Sequence, residues 1–131
     1  MATAPAFAAT PRTSAAAPAA SAVTTRDGTG ALTTLFTAGV SAGSRVDYIQ
    51  ATQIAATPIA GAVTLFIHDG TNSRYYGEIS FANTTAPSAT VAPEKQTLTP
   101  STPILLPPGH SLRCAPTVAK EFVVIAIGGD F

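Results

Sequence analysis

Two histidines, one cysteine and a few carboxylates are the side chains of this chain that could bind a metal or take part in covalent catalysis. His68 is followed directly by Asp69, but neighbouring residues of a strand point to opposite faces, so the pair cannot chelate one ion. His110 has no cysteine, carboxylate or second histidine at ligand spacing. We therefore predict no metal site and interpret both histidines as turn or surface residues.

The remaining candidates for chemistry also favour a structural interpretation. Cys114 lies beside Leu112 on the apolar side of a short segment, which is typical of a small core residue. Asp69, Asn72 and Glu78 lack the spacing of a calcium-binding loop. Because the chain has no Ser–His–Asp arrangement, no carboxylate pair and no nucleotide-binding glycine motif, we predict that it is not an enzyme and takes no cofactor.

Composition narrows the class of protein further. Of 131 residues, 46% are hydrophobic and only 11% are charged, with seven basic and seven acidic side chains. So little charge indicates a surface largely covered by partners, although a small, lightly charged apolar domain would have the same composition. The scattered basic residues form no patch for phosphates, and no apolar run or amphipathic helix suits a membrane. We expect neither nucleic-acid nor membrane binding.

Hydrophobic patterning in the body is that of short β-strands separated by Gly and Pro turns. The predicted strands are residues 31–38, 44–54, 62–68, 74–81, 88–92, 96–99, 104–106, 111–115 and 122–127. The alternation puts Val46 and Tyr48 on one face and slips at Ile49, which predicts a bulge. Residues 27–131 are therefore expected to form an all-β domain, an antiparallel β-sandwich of jelly-roll-like type.

Two segments of this domain carry specific expectations. Asp69, Gly70 and Asn72 predict a structural turn of a hairpin, because Asp can cap the turn and Gly supplies a positive φ. The run 122–127 is apolar on both faces, so it should be buried on both sides, either inside the sandwich or across a subunit interface. The candidate subunit-interface residues are Val123, Ile125, Ile127 and Phe131.

Residues 1–26 have a different composition, mostly Ala, Thr, Ser and Pro. Such a segment cannot bury enough apolar surface to offset roughly 1–2 kcal/mol of backbone entropy per ordered residue. We predict an extended N-terminal arm that clasps neighbouring subunits, with a plain linker as the alternative. Its candidate partner-binding residues are Phe7, Pro11, Arg12 and Val23, in which Phe7 is the apolar anchor and Arg12 pairs with a carboxylate of the partner.

A series of motifs in the body resembles a family of small structural proteins of tailed bacteriophages. In chain order they are residues 44–47 (SRVD), 65–72 (LFIHDGTN), 106–109 (LPPG), 111–113 (SLR) and 128–131 (GGDF). The resemblance implies a virion component, most similar to a capsid decoration (cement) protein. It also implies a trimer on the outer capsid surface that contacts the major capsid protein. The arm matches nothing specific in that family.

The expected function is therefore to stabilise a bacteriophage capsid by bridging neighbouring capsid subunits, with further copies of the same chain as partners. The alternative is a jelly-roll receptor-binding or tail-fibre-tip module attached through the arm, in which Tyr48, Tyr75 and Tyr76 would form a sugar-stacking platform. Residues 1–26 lack the basic and Leu-rich regions of a signal peptide. We accordingly expect synthesis in the cytoplasm of the bacterial host.

Overall fold

A computed structural model describes residues 10–82 and 84–131 of the chain. Nine β-strands and no helix occur in this described part. The strands are β1 (Thr10–Ala16), β2 (Thr33–Thr37), β3 (Ser44–Gln53), β4 (Gly61–His68), β5 (Ser73–Phe81), β6 (Lys95–Leu98), β7 (Ile104–Leu106), β8 (Ser111–Pro116) and β9 (Phe122–Asp130). The prediction of an all-β chain is confirmed.

The strands form two antiparallel sheets. The five-stranded sheet has the order β1-β9-β3-β6, and β7 pairs with the beginning of β3. The four-stranded sheet has the order β2-β8-β4-β5. Strands that are distant in the chain are therefore neighbours in both sheets, and most of the fold depends on long-range pairing.

The hydrophobic core lies between the two sheets and takes side chains from both. Phe81 of β5 and Phe122 of β9 meet there edge to face, with ring centroids 5.2 Å apart. Leu65, Leu112 and Val124 are fully buried in the same layer. This arrangement is that of a β-sandwich, in which alternate residues of each strand point inward.

A bulge in β3 changes one expectation about its faces. The register of β3 against β9 shifts between Val46 and Tyr48, so Asp47 is the additional residue. Val46 and Ile49 are consequently both buried in the core, whereas Tyr48 points to the outer face. The sequence predicted the slip in alternation but placed Val46 and Tyr48 on the same face, which is wrong because the bulge reverses the alternation between them.

The expected strand at residues 88–92 is a turn instead. Ser88 and Val91 exchange backbone hydrogen bonds, and the Ser88 hydroxyl accepts from the N–H groups of Thr90 and Val91. The Ser side chain therefore satisfies backbone donors that a strand would have paired with a neighbour. The alternating small residues of this segment did not distinguish a strand from a turn.

The N-terminal stretch lies on the body over its whole described length. Residues of β1 pair with β9 from Thr10 opposite Asp130 to Ala16 opposite Val124. The chain then crosses to the other sheet, where the Val23 N–H donates to Pro116 O at 2.9 Å. Residues 10–26, expected as an extended arm, thus contribute a strand and a covering segment to the sandwich itself.

Candidate functional site

The outer face of the five-stranded sheet, defined as the side turned away from the core, carries a row of apolar side chains on β9. Val123 and Ile125 are half-buried and Ile127 is 40% exposed, while the alternate residues of the strand point into the core. Tyr48 of β3 lies directly opposite Ile127 in the sheet register. Leu105 of β7, 63% exposed, belongs to the same sheet. Exposed apolar residues grouped on one face are typical of an interaction surface.

Flanking strands make this face nearly free of charge along β9. On one side, Thr13 and Ala15 of β1 are opposite Ile127 and Ile125. On the other, Gln50 and Thr52 of β3 are opposite Ile125 and Val123 in the β3–β9 register. Charged groups lie toward the two ends of β3. Arg45 and Asp47 pair with each other at 2.7 Å at one end, and Lys95 of the edge strand β6 lies opposite Thr52 at the other. The centre of the face can therefore be covered without burying a charge.

One side of the sandwich is closed by β1, the edge strand of the five-stranded sheet. The Ser14 hydroxyl donates to Leu35 O of β2 at 2.6 Å, so β1 also contacts the neighbouring sheet. Pro11 is exposed on β1, opposite Gly129. Proline has no N–H to offer a further strand, which is why it is tolerated at a sheet edge.

Arg12 joins β1 to both sheets. Its Nη1 donates to Asp130 Oδ1 at 2.8 Å and to Thr37 O at 2.7 Å. Its guanidinium lies over the Phe36 ring, 4.2 Å from the centroid. The Ser44 hydroxyl donates to the same Asp130 oxygen. Two hydrogen bonds hold the pKa of Asp130 below its usual value. The larger effect comes from Ser44 and the smaller one from Arg12. Arg12 was expected to meet a partner's carboxylate, and within this chain the carboxylate is that of Asp130.

The other residues predicted for the arm and the interface lie apart from one another. Phe7 is outside the described residues. Val23 is only 6% exposed and covers the four-stranded sheet, so its apolar surface is already used by the chain's own body. Phe131 is half-buried at the rim of an apolar cavity of about 270 Å³ between β7 and the start of β3. Leu105 and Pro108 also line that cavity.

Of the side chains considered above for catalysis or metal binding, Cys114 is buried in the core and Asp69 is used in hydrogen bonds of a turn. Burial raises the pKa of the Cys114 thiol to about 12, so the reactive thiolate is scarce at neutral pH. Asp69 Oδ1 accepts from the N–H groups of Thr71 and Asn72, and Gly70 has a φ of 98°. Over residues 10–82 and 84–131 there is no group of three or more potential metal ligands.

A polar cavity of about 280 Å³ is a feature that sequence reasoning missed. It lies on the outer face of the four-stranded sheet, between the turn at residues 27–30 and the β4–β5 hairpin. Arg74 and Arg113 line it together with His68. These residues are dispersed in the sequence, and the only local signal was the position of Arg113 between two core residues, Leu112 and Cys114, which turns it outward.

Comparisons of the chain with protein-family models, with curated proteins and with solved structures found no match. Within the described part of the chain, no helix is long and apolar enough to cross a membrane.

Proposed function

We propose that this protein is a structural component of a bacteriophage virion that decorates and stabilises the capsid. In this proposal it acts as a homo-oligomer, a trimer by the resemblance of its motifs to phage decoration proteins, on the outer capsid surface. It bridges neighbouring subunits of the major capsid protein. The observation that carries the proposal is the uncharged apolar row of Val123, Ile125 and Ile127 on the outer face.

A second copy of the chain is the proposed occupant of the outer face. Ile127 and Leu105 expose apolar area that costs roughly 25 cal/mol per Å² to keep in water. Tyr48 adds an aromatic side chain with a polar tip, a residue type enriched at protein interfaces. In a symmetric oligomer every copy buries the same patch. An uncharged face suits such an interface, because no like charges are brought together.

The order of the strands supports a jelly-roll assignment. Jelly rolls consist of eight strands in two four-stranded sheets, numbered in chain order as first–eighth–third–sixth and second–seventh–fourth–fifth. With the short β7 set aside, the orders β1-β9-β3-β6 and β2-β8-β4-β5 agree with that scheme. Jelly rolls are common in viral capsid proteins, although fold analogy alone does not assign a function.

Residues 1–9 supply the second proposed contact, with a neighbouring capsid subunit. They precede Thr10, which lies opposite Asp130 at the end of the sheet that also holds Phe131. A segment of nine residues can reach at most about 30 Å, which is sufficient for a contact with a neighbouring subunit. Phe7 would be the anchor, and several copies in one oligomer would strengthen attachment by multivalency.

The receptor-binding alternative is less well supported because its three tyrosines do not share a surface. Tyr48 belongs to β3 of the five-stranded sheet, and Tyr75 and Tyr76 belong to β5 of the four-stranded sheet. The Tyr75 hydroxyl donates to Glu78 at 2.9 Å, and its ring packs edge to face on Phe66. The three rings therefore cannot form one sugar-stacking platform.

The copy number in purified phage particles tests the proposal. We expect a ratio to the major capsid protein near one to one, measured by quantitative mass spectrometry of particles that encode this chain. A few copies per particle would contradict capsid decoration and favour a tail or vertex component. Light scattering of the purified protein tests the oligomer separately, and a strictly monomeric protein would argue against the interface.

A further inference from the structure

The polar cavity on the four-stranded sheet is closed by the N-terminal segment. Gly28 sits so close to β5 that a Cβ on it would lie 2.0 Å from Ser73 O, and its φ is +87°. Arg26, two residues earlier, forms two hydrogen bonds with Glu78 at 2.9 and 3.2 Å. The turn at residues 27–30 is thus held against the sheet, and the cavity has a defined wall.

Positive charge dominates the lining of this cavity. Arg74 and Arg113 carry two guanidinium groups, against the single carboxylate of Asp27. That carboxylate already accepts hydrogen bonds from the N–H and the hydroxyl of Thr29, at 3.0 and 2.6 Å. These hydrogen bonds favour the ionised carboxylate by lowering the pKa of Asp27, so the lining holds two positive guanidinium groups against one negative charge.

The two arginines are not used by the ion pairs found in the described part of the chain. Arg113 Nε is buried and has no hydrogen-bond acceptor among the described residues. A buried charged donor without an acceptor is costly, so such a group in a native fold calls for a partner. Arg74 contributes to lowering the pKa of Asp69, but the main cause there is the hydrogen bonds from Asn72 and Thr71.

His68 completes the polar lining. Its Nδ1 lies 3.0 Å from Ser73 Oγ. When Nδ1 accepts from that hydroxyl, Nε2 carries the ring hydrogen and can donate to a ligand. Guanidinium forks and an imidazole N–H are donors that suit the oxygens of phosphate, sulfate and carboxylate groups.

We propose that the cavity lined by Arg74, Arg113 and His68 is a binding site for a small oxyanion. The shared chemistry is a group with two or more negatively charged oxygens, either tetrahedral, as in phosphate or sulfate, or planar, as in a carboxylate. The buried Nε of Arg113 supplies one donor, and the exposed side chain of Arg74 supplies a second positive charge in the lining. This site is on the opposite sheet from the proposed oligomer face, and its test does not involve capsids.

The test is a titration of the full-length protein with sodium phosphate, sodium sulfate and sodium acetate at low millimolar concentrations. Ionic strength is kept constant with sodium chloride, and binding is followed by the amide chemical shifts of Gly28, Thr29 and Thr71 and by the melting temperature. We expect saturable shifts with at least one of the three anions, and the preferred anion distinguishes tetrahedral from planar ligands. Titration with chloride alone should leave these amides unchanged.

Charge-removing variants make the assignment specific. R113Q and R74Q should each weaken the apparent affinity about tenfold, the factor that corresponds to loss of one charge-assisted hydrogen bond. Lys95→Gln is the matched control, because it removes one exposed positive charge on the other sheet. R74Q decides the outcome if R113Q does not fold, since Arg74 is exposed.

Two results would overturn the proposal. The first is the absence of saturable shifts at these amides with all three anions. The second is equal binding by the wild type, R74Q and K95Q, which would indicate a general salt effect on the protein. Selective loss in R74Q with retention in K95Q would support the site.

Discussion

Arg12 and Asp130, 118 positions apart in the chain, are joined by an ion pair of 2.8 Å. The pair connects β1 to β9, two neighbouring strands that also pair along their backbones from Thr10 to Ala16. Arg12 also covers the ring of Phe36, at the rim of the core. The ion pair therefore links β1 to β9 at one end of the five-stranded sheet.

Arg12→Ala should destabilise the protein, because it removes the ion pair, the hydrogen bond to Thr37 O and the cover over Phe36 together. The midpoint of urea unfolding should fall with little change in its slope. Arg74→Ala is the matched control, since Arg74 is exposed and should leave the midpoint nearly unchanged. Equal shifts of the urea midpoint for the two substitutions would show that the contacts of Arg12 do not stabilise the packing of β1.

Stability should decline at acidic pH partly through Asp130. Its pKa in the folded state is below the ordinary 3.8, owing first to the Ser44 hydroxyl and then to Arg12. A depressed folded pKa contributes stability above the unfolded value, and that contribution is lost as the pH falls through the folded pKa. The wild type should therefore be more stable than Asp130→Asn at pH 6, and the difference should shrink below pH 3.8. A difference that stays constant down to about pH 2 would contradict this account.

The prediction of strands from sequence succeeded where apolar and polar residues alternate against a core. The segments that became β4 and β5 have this pattern, and their bounds differ from the predicted ones by one residue at most. β1 was missed because its inward positions are Arg12, Ser14 and Ala16 rather than large apolar residues. Its place in the sheet depends on backbone pairing with β9, which a local pattern does not encode.

The polar cavity could not be predicted from the sequence, for a related reason. Asp27, His68 and Arg113 come together only when the segment before β2 covers the outer face of the four-stranded sheet. That crossing relies on Gly28, whose close approach to Ser73 cannot be inferred from composition. The apolar row of β9, in contrast, was visible in the sequence, because a strand apolar on both faces needs cover on both.

Gly28→Ala and Gly109→Ala should separate backbone strain from close packing. Both glycines have a φ of +87°, but a Cβ at position 28 would lie 2.0 Å from Ser73 O, while one at position 109 has nothing within 4 Å. Gly109→Ala should cost about 1 kcal/mol of unfolding free energy through its positive φ alone. Gly28→Ala should cost at least twice that amount, measured by denaturant unfolding. Equal losses for the two substitutions would contradict a steric contribution from the contact between Gly28 and Ser73.

Ile127→Lys should reduce self-association without unfolding the protein. The side chain is 40% exposed on the outer face, so a charge there is tolerated in the monomer but opposes burial against a second copy. Val124→Ala is the contrasting change, because Val124 is fully buried in the core and its truncation should cost about 2 kcal/mol of unfolding free energy. Sedimentation equilibrium and urea unfolding distinguish the two effects. An oligomer that persists in Ile127→Lys would place the interface elsewhere.

Two N-terminal deletions should have different consequences because β1 begins at Thr10. Removal of residues 1–9 should change the free energy of unfolding by about 0.5 kcal/mol or less, since every pairing of β1 with β9 is kept. The same deletion, and Phe7→Ala alone, should weaken co-sedimentation with capsids that lack this protein. Removal of residues 1–16 should instead lower stability by several kcal/mol, because it takes away an entire edge strand and the partner of Asp130. Unchanged capsid binding after removal of residues 1–9 would mean that attachment relies on the sandwich surface, and the clasping role of Phe7 would have to be abandoned.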